Sequence, residues 1–169
     1  MADLLECLLQ IKALRETLGR LRDLVGAVPA AGWGIRPAPE TWAPLEVVAH
    51  LADVELVHGV RLRQVLTMER PALVAIDPRA LAVRADYLGW PLSLAFDRFK
   101  GRRAETLELL DSCSAEELER VGVHPRRGAM TVADLVAFML THDIDHLGQI
   151  RERLGLLVPP TAAPQGEPA

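Results

Sequence analysis

Apolar side chains return every three or four residues along four long stretches of this chain, a pattern that buries its core between helices. The first stretch runs from about Asp3 to Val25 and carries Leu4, Leu5, Leu8, Ile11, Leu14, Leu18, Leu21, Leu24 and Val25. Gly26 and Pro29 stop it, and the Gly- and Pro-rich segment AAGWGIRPAPETWA reads as a loop. Pro44 suits the first turn of a second helix, where no backbone N–H is needed, and this helix extends to about Glu69, before Pro71. Pro91 opens a third long helix with Leu94, Phe96, Phe99, Leu107 and Leu110 as its apolar stripe. Thr131 and Asp134 mark the start of the last long helix, which reaches Leu154 and stops at Gly155.

The connections decide how four such helices are arranged. Between the second and third lies a long piece, from about Arg70 to Trp90, in which PRALAVRADYLG predicts a short helix. Ser114 and Glu117 form a capping box for another short helix ending near Arg120, and GVHPRRGAM follows as a loop. No strand-like alternation lasts more than a few residues, and there is no internal repeat. The expectation is an all-α four-helix bundle with a long crossover connection between helices 2 and 3, rather than a simple up-down-up-down arrangement. Residues 1–155 make one domain, and the Pro/Ala-rich tail at 156–169 has too little apolar content to pack and is expected to be mobile.

Composition narrows the functional classes. Only 4% of residues are aromatic, which favours helix packing over a β-sandwich. The formal net charge of -4 leaves no electrostatic footprint for nucleic acid or anionic lipid. No run of about 18 uncharged apolar residues is present to span a membrane. Cys7 and Cys113 match no CxxC or zinc-finger spacing, so a disulfide framework is not expected. The N-terminus has acidic residues where a signal peptide has basic ones, and a cytoplasmic location is expected.

The histidines carry the chemistry. His142 and His146 are one turn apart, about 40° from each other on the helical wheel, at the edge of the face made by Leu135, Val136, Met139, Leu147 and Ile150. Two imidazoles at that spacing can converge on one ion, although HxxxH also describes two ordinary half-exposed helix histidines. His50 lies at the edge of the second helix's face, beside Val47, Leu51, Val54, Leu62 and Val65. Three inward-edge histidines on two helices can make a three-nitrogen site that leaves positions open for water or substrate. His58 also faces inward, but about 12 Å along the axis from His50, too far to share its ion, and reads as a hydrogen-bonded core or pocket histidine. His124, before Pro125, reads as a surface or loop-fastening residue.

Asp53, Asp143 and Asp145 could each orient an imidazole, and each is individually an ordinary solvated helix acid. Gln149 is a better pocket-lining polar group. The basic runs RLR and GRR read as solvated helix faces. Asp111 and Ser112 stand near Cys113 without a thiol-activating histidine, and no GxGxxG or GxxxxGK[ST] loop is present.

The stretch RPAPETWAPLEVVAHLADVELVHGVRLRQVL (36–66) and the stretch GVHPRRGAMTVADLVAFMLTHDIDHLGQIRERL (122–154) together resemble the DinB-like superfamily of four-helix proteins. The resemblance covers roughly residues 2–155, with DPRALAVRADYLGWPLSLAFDRFKGRRAETLELL fitting more loosely. One departure is Ala43, where relatives often carry a capping Ser, a loss of about 1 kcal/mol at a helix start. The resemblance implies a homodimer and a divalent metal held by His50, His142 and His146, with zinc or nickel expected and iron or manganese as alternatives. It also implies thiol chemistry, since relatives include bacillithiol S-transferases and mycothiol-dependent isomerases.

Two functions follow as expectations. One is a metal-dependent enzyme, a thiol S-transferase joining a low-molecular-weight thiol to a small electrophile, or a hydrolase. The other is a non-catalytic stress-response or binding module whose metal site is structural or vestigial. The family name refers to DNA damage induction, but this acidic chain gives no reason to expect DNA binding.

Overall fold

The computed structural model describes residues 2–155; the expected tail at 156–169 lies outside them. Four long helices form the bundle: α1 (Ala2–Ala27), α2 (Pro44–Thr67), α4 (Leu92–Asp111) and α6 (Val132–Arg153). The short helices α3 (Pro78–Ala85) and α5 (Ala115–Leu118) sit in the connections, as the Pro78 segment and the Ser114–Glu117 capping box predict. α2 packs on α4 and α6, and α1 packs on the same two helices. The first and second long helices are therefore diagonal partners, as are the third and fourth. An up-down-up-down ring would make consecutive helices neighbours, so the crossover expectation holds.

The last connection differs from the expected loop. GVHPRRGAM is not a loop: Val121–His124 (β1) and Gly128–Thr131 (β2) pair antiparallel, with Val121 opposite Thr131 and His124 opposite Gly128. Each strand is four residues long, too short for alternation to register in the sequence. Gly128, at φ 77°, occupies the left-handed conformation that closes a short hairpin loop. The crossover docks on this hairpin. Val123 N–H donates to Pro71 O at 2.8 Å, and Leu73 N–H donates to Val123 O at 3.0 Å. Arg120 fastens the same corner by donating to the carbonyls of Val65 and Met68 at the C-terminal end of α2.

Helix starts follow local rules. Ala43 offers no side-chain acceptor, yet half of a capping box survives. Glu46 Oε2 accepts from Ala43 N–H at 2.8 Å and from Arg36 Nε at 2.7 Å. At α6 the box is complete, Thr131 Oγ1 accepting from Asp134 N–H and Asp134 Oδ2 from Thr131 N–H. The stripe of α1 is rotated from the one its leucines suggest. Cys7, Ile11, Leu14 and Leu21 are buried, while Leu5 and Leu8 are 61% and 51% exposed. Leu94 of α4 is also exposed.

The core consists of two apolar clusters, one around Leu14, Leu62, Leu107 and Met139, the other around Leu21, Leu51, Phe99 and Leu147. Each pair of neighbours along a helix straddles a buried polar residue: Thr17 on α1, Glu55 on α2, Arg103 on α4 and Asp143 on α6. These four side chains meet. Arg103 donates to Asp143 Oδ2 at 2.6 Å and to Glu55 Oε2 at 2.7 Å, and Thr17 Oγ1 donates to Asp143 Oδ2 at 2.6 Å. The reading of GRR as a solvated face is thus wrong for Arg103, which is 0% exposed, and Asp143 is not a solvated acid. RLR is corrected likewise, since Arg61 is buried and donates to Val74 O. Burial alone would depress the Arg103 pKa, but Asp143 and Glu55 outweigh it and hold the guanidinium charged.

Candidate metal centre

α2 and α6 pack side by side, so the inward-edge positions read from the helical wheel face each other across their seam. His50 Nε2 lies 3.2 Å from His142 Nε2, and His142 Nε2 lies 3.1 Å from His146 Nε2. One ligand atom from each ring falls within 4.8 Å of the other two. The structure therefore brings together the three histidines picked out from the sequence and leaves the other two aside.

Hydrogen bonding shows what such a cluster can hold. Gln149 Oε1 accepts from His146 Nδ1–H at 3.1 Å, which leaves the Nε2 lone pair of His146 pointing at His142. His142 sits between two nitrogens and, when neutral, has at most one Nε2–H to share between them. One proton cannot satisfy both contacts fully, and the unshared nitrogen lone pairs crowd a half-buried space that a cation would fill. Adjacent nitrogens on a tetrahedral ion with bonds of about 2.0–2.1 Å stand about 3.3 Å apart, close to the spacing seen. The donor set fits a divalent ion.

The rings are held neutral. Burial, then the proximity of His146 and His142, lowers the His50 pKa to about 3. Burial, then His146 and Arg103, lowers that of His142 to about 3 as well. His146 is lowered by burial, an effect opposed by Gln149, Asp143 and Asp145. Neutral imidazole is the form that binds metal. Trp42 covers His50 at a ring separation of 5.0 Å, shielding it from solvent.

None of the three carboxylates weighed as orienting groups bonds an imidazole of the triad. Asp53 accepts from Tyr87 Oη–H at 2.9 Å and pairs with Arg102 at 2.8 Å, Asp143 belongs to the Arg103 cluster, and Asp145 is exposed. Gln149, expected to line a pocket, takes the orienting role on His146. The sequence reading missed Arg103. Its signal was a cation spaced four residues from Phe99 and from Leu107, inside the apolar stripe.

His58 and His124 belong to the neighbouring space. A cavity of about 530 Å³ opens beside the triad between α2, residues 75–78, the hairpin turn and α6. His50 and His142 form part of its wall, with His58, Arg61, Arg127 and Phe138. His58 is 2% exposed, and neither of its ring nitrogens has a hydrogen-bond partner among the described residues, so the expected hydrogen-bonded histidine is only half right. His124 is buried rather than on the surface, and its Nδ1 fastens the turn by accepting from Arg126 N–H at 3.2 Å.

The sequence profile of the DinB superfamily matches residues 13–150. A protein of Oceanobacillus iheyensis named "putative metal-dependent hydrolase" is 29% identical over 88% of this chain and 84% of its own length. A second protein of that organism with the same description is 26% identical over 64% of this chain, the match spanning 63% of the relative. Among solved structures, YfiT from Bacillus subtilis, described as having an unusual four-helix bundle topology, superposes with a TM-score of 0.75 at 22% identity, covering 86% of each chain. A variant of the mycothiol-dependent maleylpyruvate isomerase superposes with a TM-score of 0.70 at 11% identity, over 88% of this chain and 65% of that one. These likenesses bear out the four-helix fold.

Proposed function

This chain belongs to the DinB superfamily, and from that membership and the geometry of its histidines we propose a metal-dependent enzyme that joins a low-molecular-weight thiol to a small electrophile. The observation that carries the reading is the convergence of three neutral imidazole nitrogens on one point at the wall of a cavity. His50, His142 and His146 would hold the ion, the set being suited to zinc or nickel. Three neutral donors leave its charge undiminished, and a divalent ion in such a setting favours the deprotonated form of a thiol or a water.

The surrounding residues favour the thiol over water. Hydrolysis at a helical zinc site of the H-E-x-x-H type uses a carboxylate as general base. Asp53 and Asp143 are each engaged by an arginine, as is one oxygen of Glu55, and no acid lines the cavity among the described residues. A thiol needs no such base, because coordination alone holds it deprotonated. Trp42 and the bundle core keep water from the back of the triad, and Gln149 keeps the His146 ring turned toward it. The mycothiol-dependent neighbour is consistent with this chemistry, while the hydrolase names of the sequence relatives favour a second reading in which water is the nucleophile.

One comparison separates the readings. Zinc- and nickel-loaded untagged protein is assayed for consumption of thiol with electrophiles such as monochlorobimane, and for ester hydrolysis without thiol. Thiol-dependent turnover lost in His146→Ala supports the transferase. Turnover without thiol replaces it with the hydrolase, and no turnover with metal retained leaves the binding module.

A further inference from the structure

The cavity beside the triad has a character that the metal reading does not explain. Its polar wall is cationic: Arg61, Arg126 and Arg127 line it, and it contains no Asp or Glu. None of these three arginines pairs with a carboxylate within 4.0 Å among the described residues; Arg61 gives only its Nε to Val74 O, and Arg127 stacks over Phe138 at 4.2 Å. The nearby Asp77 spends a carboxylate oxygen on the backbone N–H groups of Ala80 and Arg79, capping α3. Arg61 is 7% exposed, so its charge is built into the wall, while Arg126 and Arg127 stand on the exposed β1–β2 turn at the rim.

Burying a guanidinium without an anion is costly, and burying an imidazole with both nitrogens unsatisfied adds to that cost. Both costs fall on the same cavity. The rest of its lining is apolar, with Val54, Ile76 and Phe138. A ligand that relieves the first would present an anionic group to the arginines and an apolar body to Phe138. Planar guanidinium groups match carboxylates especially well.

We propose that this cavity is the receptor for a small organic carboxylate with an apolar body, held by Arg61 and Arg127 so that its far end reaches the His50–His142 edge of the triad. What happens to the bound acid rests on the reading of the triad as a metal centre; its capture does not. The wall that carries Arg126 and Arg127 is the β1–β2 turn, so the hairpin is part of the substrate site.

Benzoate and benzamide share size and shape but differ in charge, and serve as probes by isothermal titration calorimetry on the full chain, with and without zinc. Benzoate is expected to bind at least tenfold more tightly than benzamide in both states. Because Arg61 is buried, Arg61→Met could disturb folding, so the exposed pair Arg126→Gln/Arg127→Gln is measured beside it. The pair is expected to keep its zinc content and melting temperature while benzoate weakens about tenfold and benzamide is unchanged. Equal binding of the two probes by the parent, or unchanged benzoate binding in the double variant, overturns the proposal. Failure of the metal reading looks different: zinc fails to bind, while the benzoate preference of the zinc-free protein still reports on the cavity.

Discussion

The Arg103 guanidinium meets the Asp143 carboxylate through two hydrogen bonds, 2.6 Å and 3.1 Å long, one residue along α6 from His142. With Glu55 on α2 and Thr17 on α1, this pair ties all four long helices together at the level where the metal ligands face each other. The contact fixes the axial position of α6 relative to α2, and so the distance between His50 and His142. Breaking a buried pair by removing one partner typically costs about 3–5 kcal/mol, since the remaining charge stays uncompensated. Arg103→Met leaves two carboxylates behind and should reach or exceed that range in urea denaturation. Arg103→Lys, which keeps the charge but not the fork, should lose less. A stability change under about 1 kcal/mol for Arg103→Met would show that the cluster does not hold the bundle together.

The hairpin makes a similar demand at its docking point. A Cβ on Gly122 would lie 2.6 Å from Leu73 Cδ2 and 2.8 Å from Val65 Cγ2, both shorter than carbon contacts allow. Gly122→Ala should therefore lift β1 from α2 and destabilise the protein by about 1–3 kcal/mol, the usual penalty for overpacking. Because the β1–β2 turn supplies part of the cavity wall, ligand binding should weaken as well. Melting temperature and probe affinity measured on the same sample check both effects.

The sequence made the helices and the triad legible for one reason: both depend on a single period. Residues 3.6 to a turn place His142 beside His146 and put His50 on the inner edge of α2, and the packing of α2 on α6 does the rest. What could not be read is what depends on partners distant in the chain. Arg103 is an ordinary cation until Asp143, forty positions on, is known to face it. Gln149 could be placed near His142 on the wheel, but only the rotamers reveal that it bonds His146 instead. The hairpin was missed because two strands of four residues draw their stability from docking against the crossover rather than from their own pattern.

Acid should weaken the metal-free protein. His50 and His142 have folded pKa values of about 3, below the value near 6.5 of an unfolded chain. As pH falls below about 6.5 the unfolded chain takes up protons that the native one refuses, so stability is present in full above that value and is lost down to about 3. His58, lowered first by burial, adds in the same direction. Urea midpoints of apo protein at pH 7.5, 6, 5 and 4 should fall steadily. Replacing His58 with Leu should flatten the profile, and a flat profile in the parent would mean that the imidazoles are not buried as described.

Gln149 offers the sharpest test of the metal centre because it touches the site without being a ligand. Its oxygen fixes the His146 tautomer with Nε2 free. Gln149→Leu removes that acceptor while keeping the bulk, so His146 can turn or shift its proton to Nε2. Loss of such an orienting partner typically costs about 10–100-fold in metal affinity. His146→Ala removes a ligand outright and should abolish stoichiometric binding. Zinc affinity by competition with a chromophoric chelator should therefore fall in the order parent, Gln149→Leu, His146→Ala, with circular dichroism unchanged throughout. Gln149 is half-buried and takes no part in the core clusters, so its loss should not unfold the bundle. Parent-like zinc affinity in Gln149→Leu would mean that something other than this hydrogen bond orients His146. Parent-like affinity in His146→Ala would remove the triad itself from the ion.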